Sequence, residues 1–181
     1  MKISSQIPVL MPFVHSINDW DNKQWKGDLW ILHEDWNCKV SCTEYEYTIT
    51  VKRGFITDGG SVPNMFTNII APMGVYLVPF LLHDTFYGAE LISRELADTW
   101  LFDYVNYYEA NWLISESIYL AVDSFGDATW DKHKTKYVTE LRDLVDMKFT
   151  TITRQMYNEI KQHESASIYQ NIIDFDKINI I

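Results

Sequence analysis

The side chains that could do chemistry are concentrated between Asp58 and Asp98. His83 and Tyr87 are four residues apart in an apolar stretch, and Asp84 follows His83 directly. At helical spacing His83 and Tyr87 share one face, whereas Asp84 points about 100° away around the helix. Histidine is the side chain that most often serves as a general base. The pattern therefore predicts a candidate catalytic histidine with a carboxylate beside it.

Other polar residues could complete a site around His83. Either Asp98 or Asp58 could accept a hydrogen bond from the imidazole and orient it. A hard cation such as Ca²⁺ prefers carboxylate and carbonyl oxygens. The residues that could supply these oxygens are Asp84, Gly59 and Gly60. The residues predicted to bind a ligand are Ser61, Tyr87 and Arg94.

The same residues also suit a structural network without catalysis. Arg94 would pair with Asp98 or Asp84, and His83 would bind Asp58. A buried carboxylate is unfavourable unless it is paired or binds a metal. Ionic networks that fix a loop to helices occur without any reaction. The sequence alone leaves the catalytic and the structural interpretations open.

The composition fits one acidic globular domain. The chain has 181 residues, of which 47% are hydrophobic and 15% aromatic, which is enough for a sizeable core. A formal net charge of −10 repels phosphate backbones, which argues against nucleic-acid binding. No apolar run reaches the roughly 18–20 residues of a membrane span, and no secretory signal is recognisable. The only cysteines, Cys38 and Cys42, lack further metal ligands and suit a reducing compartment.

The periodicity predicts an α+β fold, in which a small N-terminal antiparallel sheet is followed by a bundle of about four helices. Strands are expected over Asp28–Glu34 and Tyr45–Lys52. In the second of these, apolar and polar residues alternate with the period of a half-buried strand. Gly54–Thr57 is expected to continue it before the glycine turn.

Helical spacing begins near Pro79. The predicted helices span about Pro79–Tyr87, Ser93–Tyr108 and Asn111–Phe125, and a fourth runs from Thr129 to about Ile160. Gly88 and Gly126 are interpreted as residues just beyond the ends of the first and third helices. Ser93 is interpreted as the N-cap of the second.

The C-terminal tail differs in character from the rest of the chain. Residues 1–163 are expected to form a single α+β domain, and residues 164–181 an arm or strand. The tail is apolar and β-branched without helical spacing. It could pack on its own domain or pair with the sheet edge of another subunit.

Three motifs resemble the domain-of-unknown-function family 1353. They are Gly54-Phe55-Ile56-Thr57-Asp58-Gly59-Gly60-Ser61-Val62-Pro63, Leu82-His83-Asp84-Thr85-Phe86-Tyr87 and Arg94-Glu95-Leu96-Ala97-Asp98. They occur in the family's order and spacing, and the resemblance covers roughly residues 54–130. It implies a bacteriophage or prophage origin without implying a known activity. The shared polar site that it implies comprises Asp58, Ser61, His83, Asp84, Tyr87, Arg94 and Asp98.

The chain departs from that family on the third predicted helix. The family commonly carries arginines near the positions of Glu116 and Asp123. Here no Lys or Arg occurs from Glu95 to Asp131. Any family contact between those arginines and an anionic ligand is therefore in doubt for this protein, and a solvated acidic face is the simpler interpretation.

The His83-Asp84-x-x-Tyr87 motif is also similar to a helix of the secreted phospholipases of class A. In those enzymes the His activates water, the adjacent Asp and a glycine-rich loop bind calcium, and a later Asp orients the His. The likeness implies these roles for His83, for Asp84 with the turn that begins at Asp58, and for Asp98. The cysteines that flank that helix are absent here.

No complete catalytic motif is visible, so we expect a phage protein of the virion, assembly or host-interaction type with a structural His-Asp-Arg cluster. The alternative is a metal-assisted hydrolase with His83 as the general base and a divalent cation at Asp84. The expected partner is a protein, or a second copy bound through the C-terminal arm. Aromatic residues near the N-terminus support an interface; they are Trp20, Trp25, Trp30 and Trp36. The expected location is the host cytoplasm or the virion.

Overall fold

Strands occur both before and after the helices in the computed structural model. The residues that it describes are 1–12, 29–59, 74–108, 110–133, 141–162, 172–174 and 177–181. The strands are β1 (Lys2–Ser5), β2 (Leu10–Pro12), β3 (Trp30–Leu32), β4 (Trp36–Ser41), β5 (Tyr45–Val51), β6 (Ile56–Thr57), β7 (Val145–Ile152) and β8 (Asn179–Ile180). The helices are α1 (Leu77–Ala89), α2 (Arg94–Tyr107), α3 (Trp112–His133) and α4 (Arg154–Gln162). The α+β class is confirmed, but the predicted order of one N-terminal sheet followed by helices is wrong.

The larger sheet has five strands in the order β1-β4-β5-β7-β8. Its pairs are antiparallel except β7 with β8, which is parallel. The strand predicted over Tyr45–Lys52 is confirmed as β5. Its alternate residues, Tyr45, Tyr47, Ile49 and Val51, are buried, as the period of two predicted. This strand lies at the centre of the sheet and supplies much of the core.

The fourth helix predicted from Thr129 to about Ile160 is wrong over its central part, because β7 occupies residues 145–152. In β7 the buried Met147 and Phe149 alternate with the exposed Asp146 and Lys148. That period of two fits a strand paired with β5, which supplies the backbone hydrogen bonds. The helix α4 begins only after the strand, and residues 134–140 lie outside the described part of the chain.

A second sheet has three strands in the order β2-β3-β6. The strand predicted over Asp28–Glu34 contains β3, which spans Trp30–Leu32, and Asp28 lies outside the described residues. Gly54–Thr57 does not continue β5 as predicted. Gly54 turns the chain with a φ of 94°, and its N–H donates to the carbonyl of Leu32 at 2.8 Å. As a result β6 pairs with β3, and the turn that follows β6 lies beside α1.

The helix boundaries correct two glycine assignments. Gly88 lies inside α1, which ends at Ala89, and the left-handed residue after it is Glu90 with φ 46°. Gly126 lies inside α3 rather than beyond its end. The N-cap prediction is confirmed, because the Ser93 hydroxyl accepts a hydrogen bond from the N–H of Leu96 at 3.3 Å. Among the described residues, none of the helices is both long and apolar enough to cross a membrane.

Aromatic side chains from α1 and α2 pack on the buried face of β5. The ring of Trp100 stacks on Tyr45 at a centroid distance of 4.4 Å and on Tyr47 at 5.3 Å. Phe86 contacts both Tyr47 and Trp100 edge-on, at 6.1 Å and 5.5 Å. The hydroxyls of Tyr47 and Tyr104 are 2.7 Å apart within this core. These contacts fix α1 and α2 relative to the sheet and therefore to each other.

The described parts of the C-terminal tail pack on the same chain. β8 extends the larger sheet beside β7, with Thr151 opposite Asn179 and Ile152 opposite Ile180. Earlier in the tail, Ile173 forms a parallel bridge with Phe149 and is buried. This arrangement matches the first of the two alternatives for the tail. Residues 163–171 and 175–176 lie outside the described residues.

Candidate functional site

His83, Tyr87 and Asp98 form the centre of a polar cluster between α1 and α2. Nε2 of His83 lies 2.9 Å from Oδ1 of Asp98. The Tyr87 hydroxyl donates to the same oxygen at 2.6 Å. The rings of His83 and Tyr87, one helical turn apart, are 4.2 Å apart between centroids. Of the two acids predicted to orient His83, Asp98 is the one whose carboxylate the described structure brings to the imidazole.

Core packing fixes where these polar side chains lie. Leu82 and Phe86 on α1 are fully buried, and so are Ala97 and Trp100 on α2. The residues beside them in the chain are therefore held at the rim of the core, where the two helices meet. Each helix contributes a pair at i,i+4 spacing, which places both members of the pair on one face. The cluster thus follows from two short helical patterns and from the hydrophobic contacts that join the helices.

Water can reach this cluster. The His83 side chain retains 13% of its accessible surface, and the Asp98 side chain retains 19%. Tyr87, in contrast, is buried. A general base must contact water or substrate, and the exposed fraction of the His83 side chain permits such contact. The buried phenol beneath it serves as a support for the carboxylate.

Among the described residues, Asp98 accepts hydrogen bonds from three side chains. Besides His83 and Tyr87, Nη1 of Arg94 approaches its Oδ2 at 3.4 Å, which is a longer and weaker contact. Burial, together with the hydrogen bond and the negative charge of Asp98, raises the pKa of Tyr87 well above its ordinary value. Tyr87 therefore keeps its proton at neutral pH and remains a donor to the carboxylate. Asp98 is held in one orientation by this set of donors.

Asp84 lies in a separate set of hydrogen bonds, as its position around the helix predicted. Its Oδ2 accepts a hydrogen bond from the Thr57 hydroxyl. The same hydroxyl accepts a hydrogen bond from the N–H of Gly59 at 2.9 Å. Gly59 has a φ of 71°, the left-handed conformation expected in the glycine turn. Thr57 therefore connects the end of β6 and the glycine turn to α1.

The structure covers part of the predicted metal and ligand set. Asp58 is described and half-buried, whereas Gly60 and Ser61 lie outside the described residues. In the part of the chain that the structure describes, no three side chains of His, Cys, Asp or Glu are grouped so that they could hold a metal ion. The predicted cation at Asp84 would depend on oxygens that include the backbone of the glycine turn.

Two residues of α3, which the sequence did not predict as part of the site, lie against the cluster. A Cβ atom at Gly126 would lie 2.8 Å from Nη1 of Arg94 and 2.9 Å from the hydroxyl oxygen of Tyr87. Trp130, one turn further, packs edge-on against the Tyr87 ring at a centroid distance of 4.9 Å. A glycine inside a helix is about 1 kcal/mol less favourable than alanine. That cost would mark a glycine inside a predicted helix as a place of close approach, but the predicted third helix ends at Phe125, before Gly126.

The comparisons with known proteins agree with the motifs that form this site. The family model described as "Protein of unknown function (DUF1353)" matches residues 30–122, just over half of the 181-residue chain. The match includes β3 to β6, α1 and α2, and hence His83, Asp84 and Asp98. No curated protein and no solved structure matched the chain in the corresponding searches. The protein belongs to the DUF1353 family.

Proposed function

We propose that this protein is a hydrolase in which His83 is the general base. The observation that carries the proposal is the hydrogen bond between Nε2 of His83 and Asp98, with Tyr87 on the same carboxylate oxygen. This contact occupies one ring nitrogen with an orienting acid. Nδ1 of His83 is the second ring nitrogen and takes no part in this contact. A partly exposed imidazole with one oriented nitrogen and one available nitrogen is suited to proton transfer from water.

The chemistry that this geometry supports is hydrolysis of an ester. Nδ1 of His83 removes a proton from a water molecule as the water oxygen attacks the electrophilic carbon or phosphorus of the ester. Asp98 stabilises the imidazolium that forms, and Tyr87 keeps the carboxylate in place. The imidazolium then returns the proton to the leaving alcohol, so the base is regenerated. A cation at Asp84 is not required for this proton transfer, and it stays a separate prediction.

Alkylation of His83 tests the proposal on the unmodified protein. Bromoacetate is expected to carboxymethylate His83 at Nδ1, because Nε2 is occupied by Asp98. Hydrolysis of p-nitrophenyl carboxylic and phosphoric esters should be lost in proportion to that modification. The measurement is residual activity against the fraction of modified His83 peptide in a mass spectrum. Modification at Nε2, or full modification without loss of hydrolysis, contradicts the proposal.

Cysteine alkylation is the competing reaction and has a matched control. Cys38 is buried, and burial raises its pKa to about 12, so its thiol is protected and protonated. Cys42 is a free thiol that is only half-buried. A Cys42→Ser protein should therefore show the same rate of inactivation as the wild type. Inactivation that disappears in Cys42→Ser would assign the effect to the thiol instead of His83.

A protein-interaction function is the second candidate, and an exposed apolar face of α3 favours it. Large apolar side chains are exposed at the start of this helix: Trp112 at 76%, Leu113 at 48%, Tyr119 at 53% and Leu120 at 52%. Glu116 and Asp123 are also exposed on α3. No Lys or Arg occurs from Glu95 to Asp131. An acidic and apolar helix face is complementary to a protein segment that is basic and apolar, so we assign the occupant to that class.

A model ligand can test this second function. A labelled amphipathic peptide of Leu and Lys is expected to bind the protein in an anisotropy titration. The Leu113→Ser/Leu120→Ser variant should bind it about tenfold more weakly, because apolar contact area is lost while the charge is unchanged. A scrambled peptide of equal charge is the control for purely electrostatic attraction. Equal binding of both peptides, or no effect of the variant, contradicts an interface on α3.

The biological setting expected from the sequence is also part of the proposal. A phage or prophage origin rests on the resemblance of the three motifs, and a place in the virion or in the host cytoplasm rests on that origin. The hydrolase and the interaction functions are compatible in one chain, because His83 lies on α1 and the exposed face lies on α3. An interaction surface could then bring the hydrolase site to its substrate.

A further inference from the structure

The helix α3 approaches the polar cluster more closely than a side chain would allow. At Gly126 a Cβ atom would be within 3 Å of both Arg94 Nη1 and Tyr87 Oη, at 2.8 Å and 2.9 Å. Gly126 is buried, so the close approach is enclosed by protein. Glycine is unfavourable inside a helix, and the lack of room for a Cβ atom explains why glycine occupies this position.

The two atoms near Gly126 differ in how easily they could move. Arg94 ends in a flexible chain, and its contact with Asp98 is long, at 3.4 Å. The Tyr87 ring is fixed on two sides, by His83 at 4.2 Å and by Trp130 at 4.9 Å. Its hydroxyl therefore cannot retreat without disturbing the hydrogen bond to Asp98. A side chain at position 126 would therefore disturb, through Tyr87, the Asp98 carboxylate that orients His83.

We propose that Gly126 and Trp130 are positioning residues, which hold Tyr87 against Asp98 and thereby fix the imidazole of His83. The two residues are four apart on α3 and share one face. Trp130 supports the ring of Tyr87, and Gly126 leaves room for its hydroxyl. The role in catalysis rests on the proposed hydrolase function, whereas the orientation of His83 can be measured without any substrate.

The test is a side-chain ¹⁵N–¹H correlation spectrum of ¹⁵N-histidine-labelled protein at fixed pH. The chain has five histidines, and the His83 signal is assigned by its absence in His83→Gln. Gly126→Ala is expected to shift the Nε2 resonance of His83, because Tyr87 is displaced from Asp98. It should also lower kcat for ester hydrolysis by roughly tenfold to a hundredfold with little change in KM. An unchanged His83 signal in folded Gly126→Ala would overturn the proposal.

Gly88→Ala is the matched control, since Gly88 is also a glycine buried within a helix. Its Cβ would meet Leu141 Cδ1 at 3.1 Å and the Phe55 ring at 3.5 Å, both outside the cluster. This variant is expected to change the melting temperature while leaving the His83 signal in place. A His83 shift as large as that of Gly126→Ala would mean that any helix disturbance moves the imidazole, and would overturn the specific role of Gly126.

A double-mutant cycle with Tyr87→Phe isolates the contact. This substitution removes the hydroxyl oxygen near Gly126, so Gly126→Ala should perturb His83 less in the Tyr87→Phe protein than in the wild type. Equal perturbation in both backgrounds counts against the proposed route through Tyr87. If Gly126→Ala does not fold, Trp130→Leu loosens the same ring from its other side and should shift the same resonance. A His83 shift in a protein whose hydrolysis is independent of His83 would uphold positioning and refute the hydrolase function.

Discussion

His83→Gln is expected to lower ester hydrolysis by about 10²–10⁴-fold while the protein stays folded. The Gln side-chain amide places an N–H near the position of Nε2, so the hydrogen bond to Asp98 can be retained. What is lost is the basic Nδ1 atom, which only the imidazole supplies. The measurement is kcat/KM with a p-nitrophenyl ester, alongside a urea unfolding curve. His33→Gln, at an exposed position, is the matched control and should leave kcat/KM unchanged.

Asp98→Asn separates a catalytic cluster from a structural one. The substitution keeps the shape of the side chain but removes the charge that stabilises the imidazolium. In a catalytic unit, the double variant His83→Gln/Asp98→Asn should be scarcely slower than either single variant, because groups that act together are not additive. In a structural network the two substitutions would change the urea midpoint and leave hydrolysis unaffected. That second outcome would return the cluster to the structural interpretation that the sequence left open.

The strand β5 was predictable because its pattern fits only one periodicity. Tyr45 to Val51 alternate cleanly, and the burial of the strand follows the same alternation. The segment that forms β7 carries two patterns at once. Val145, Phe149 and Ile152 fit helical spacing, while Val145, Met147 and Phe149 fit a strand. Pairing with β5, which lies about a hundred residues earlier in the chain, decides between them, and no local pattern reports that pairing.

The candidate site was predictable to the extent that it is local in sequence. The pairs His83 with Tyr87 and Arg94 with Asp98 follow from i,i+4 spacing on single helices. The choice of Asp98 over Asp58 as the contact of His83 needs the packing of α1 against α2, which spacing does not give. The role of Gly126 could not be predicted from the sequence for a further reason. A glycine near the expected end of a helix is ordinarily a C-terminal signal, and only the contact with Tyr87 gives it another meaning.

Stability is expected to fall steeply above pH 10, because buried tyrosines must release protons when the chain unfolds. Tyr47 and Tyr104 are fully buried and hydrogen-bond to each other, and burial raises the pKa of each well above its ordinary value. In the unfolded chain both titrate near pH 10. Above that pH the unfolded state binds fewer protons than the native state, so the free energy of unfolding decreases as pH rises. Well above pH 10 the loss approaches about 3 kcal/mol per pH unit for the pair.

The double variant Tyr47→Phe/Tyr104→Phe isolates the share of this alkaline instability that comes from the pair. The two hydroxyls pair with each other and are removed together, so its stability at pH 7 should stay within about 1–2 kcal/mol of the wild type. Its free energy of unfolding, measured by urea denaturation, should decline more slowly than that of the wild type between pH 10 and 12. The difference in slope should be about 3 kcal/mol per pH unit. Tyr119→Phe, at an exposed position on α3, should retain the wild-type slope. An unchanged dependence of the free energy of unfolding on pH in the double variant would mean that water reaches the Tyr47–Tyr104 pair in the native state. The core that joins α1 and α2 to β5 would then open locally at urea concentrations below the unfolding transition.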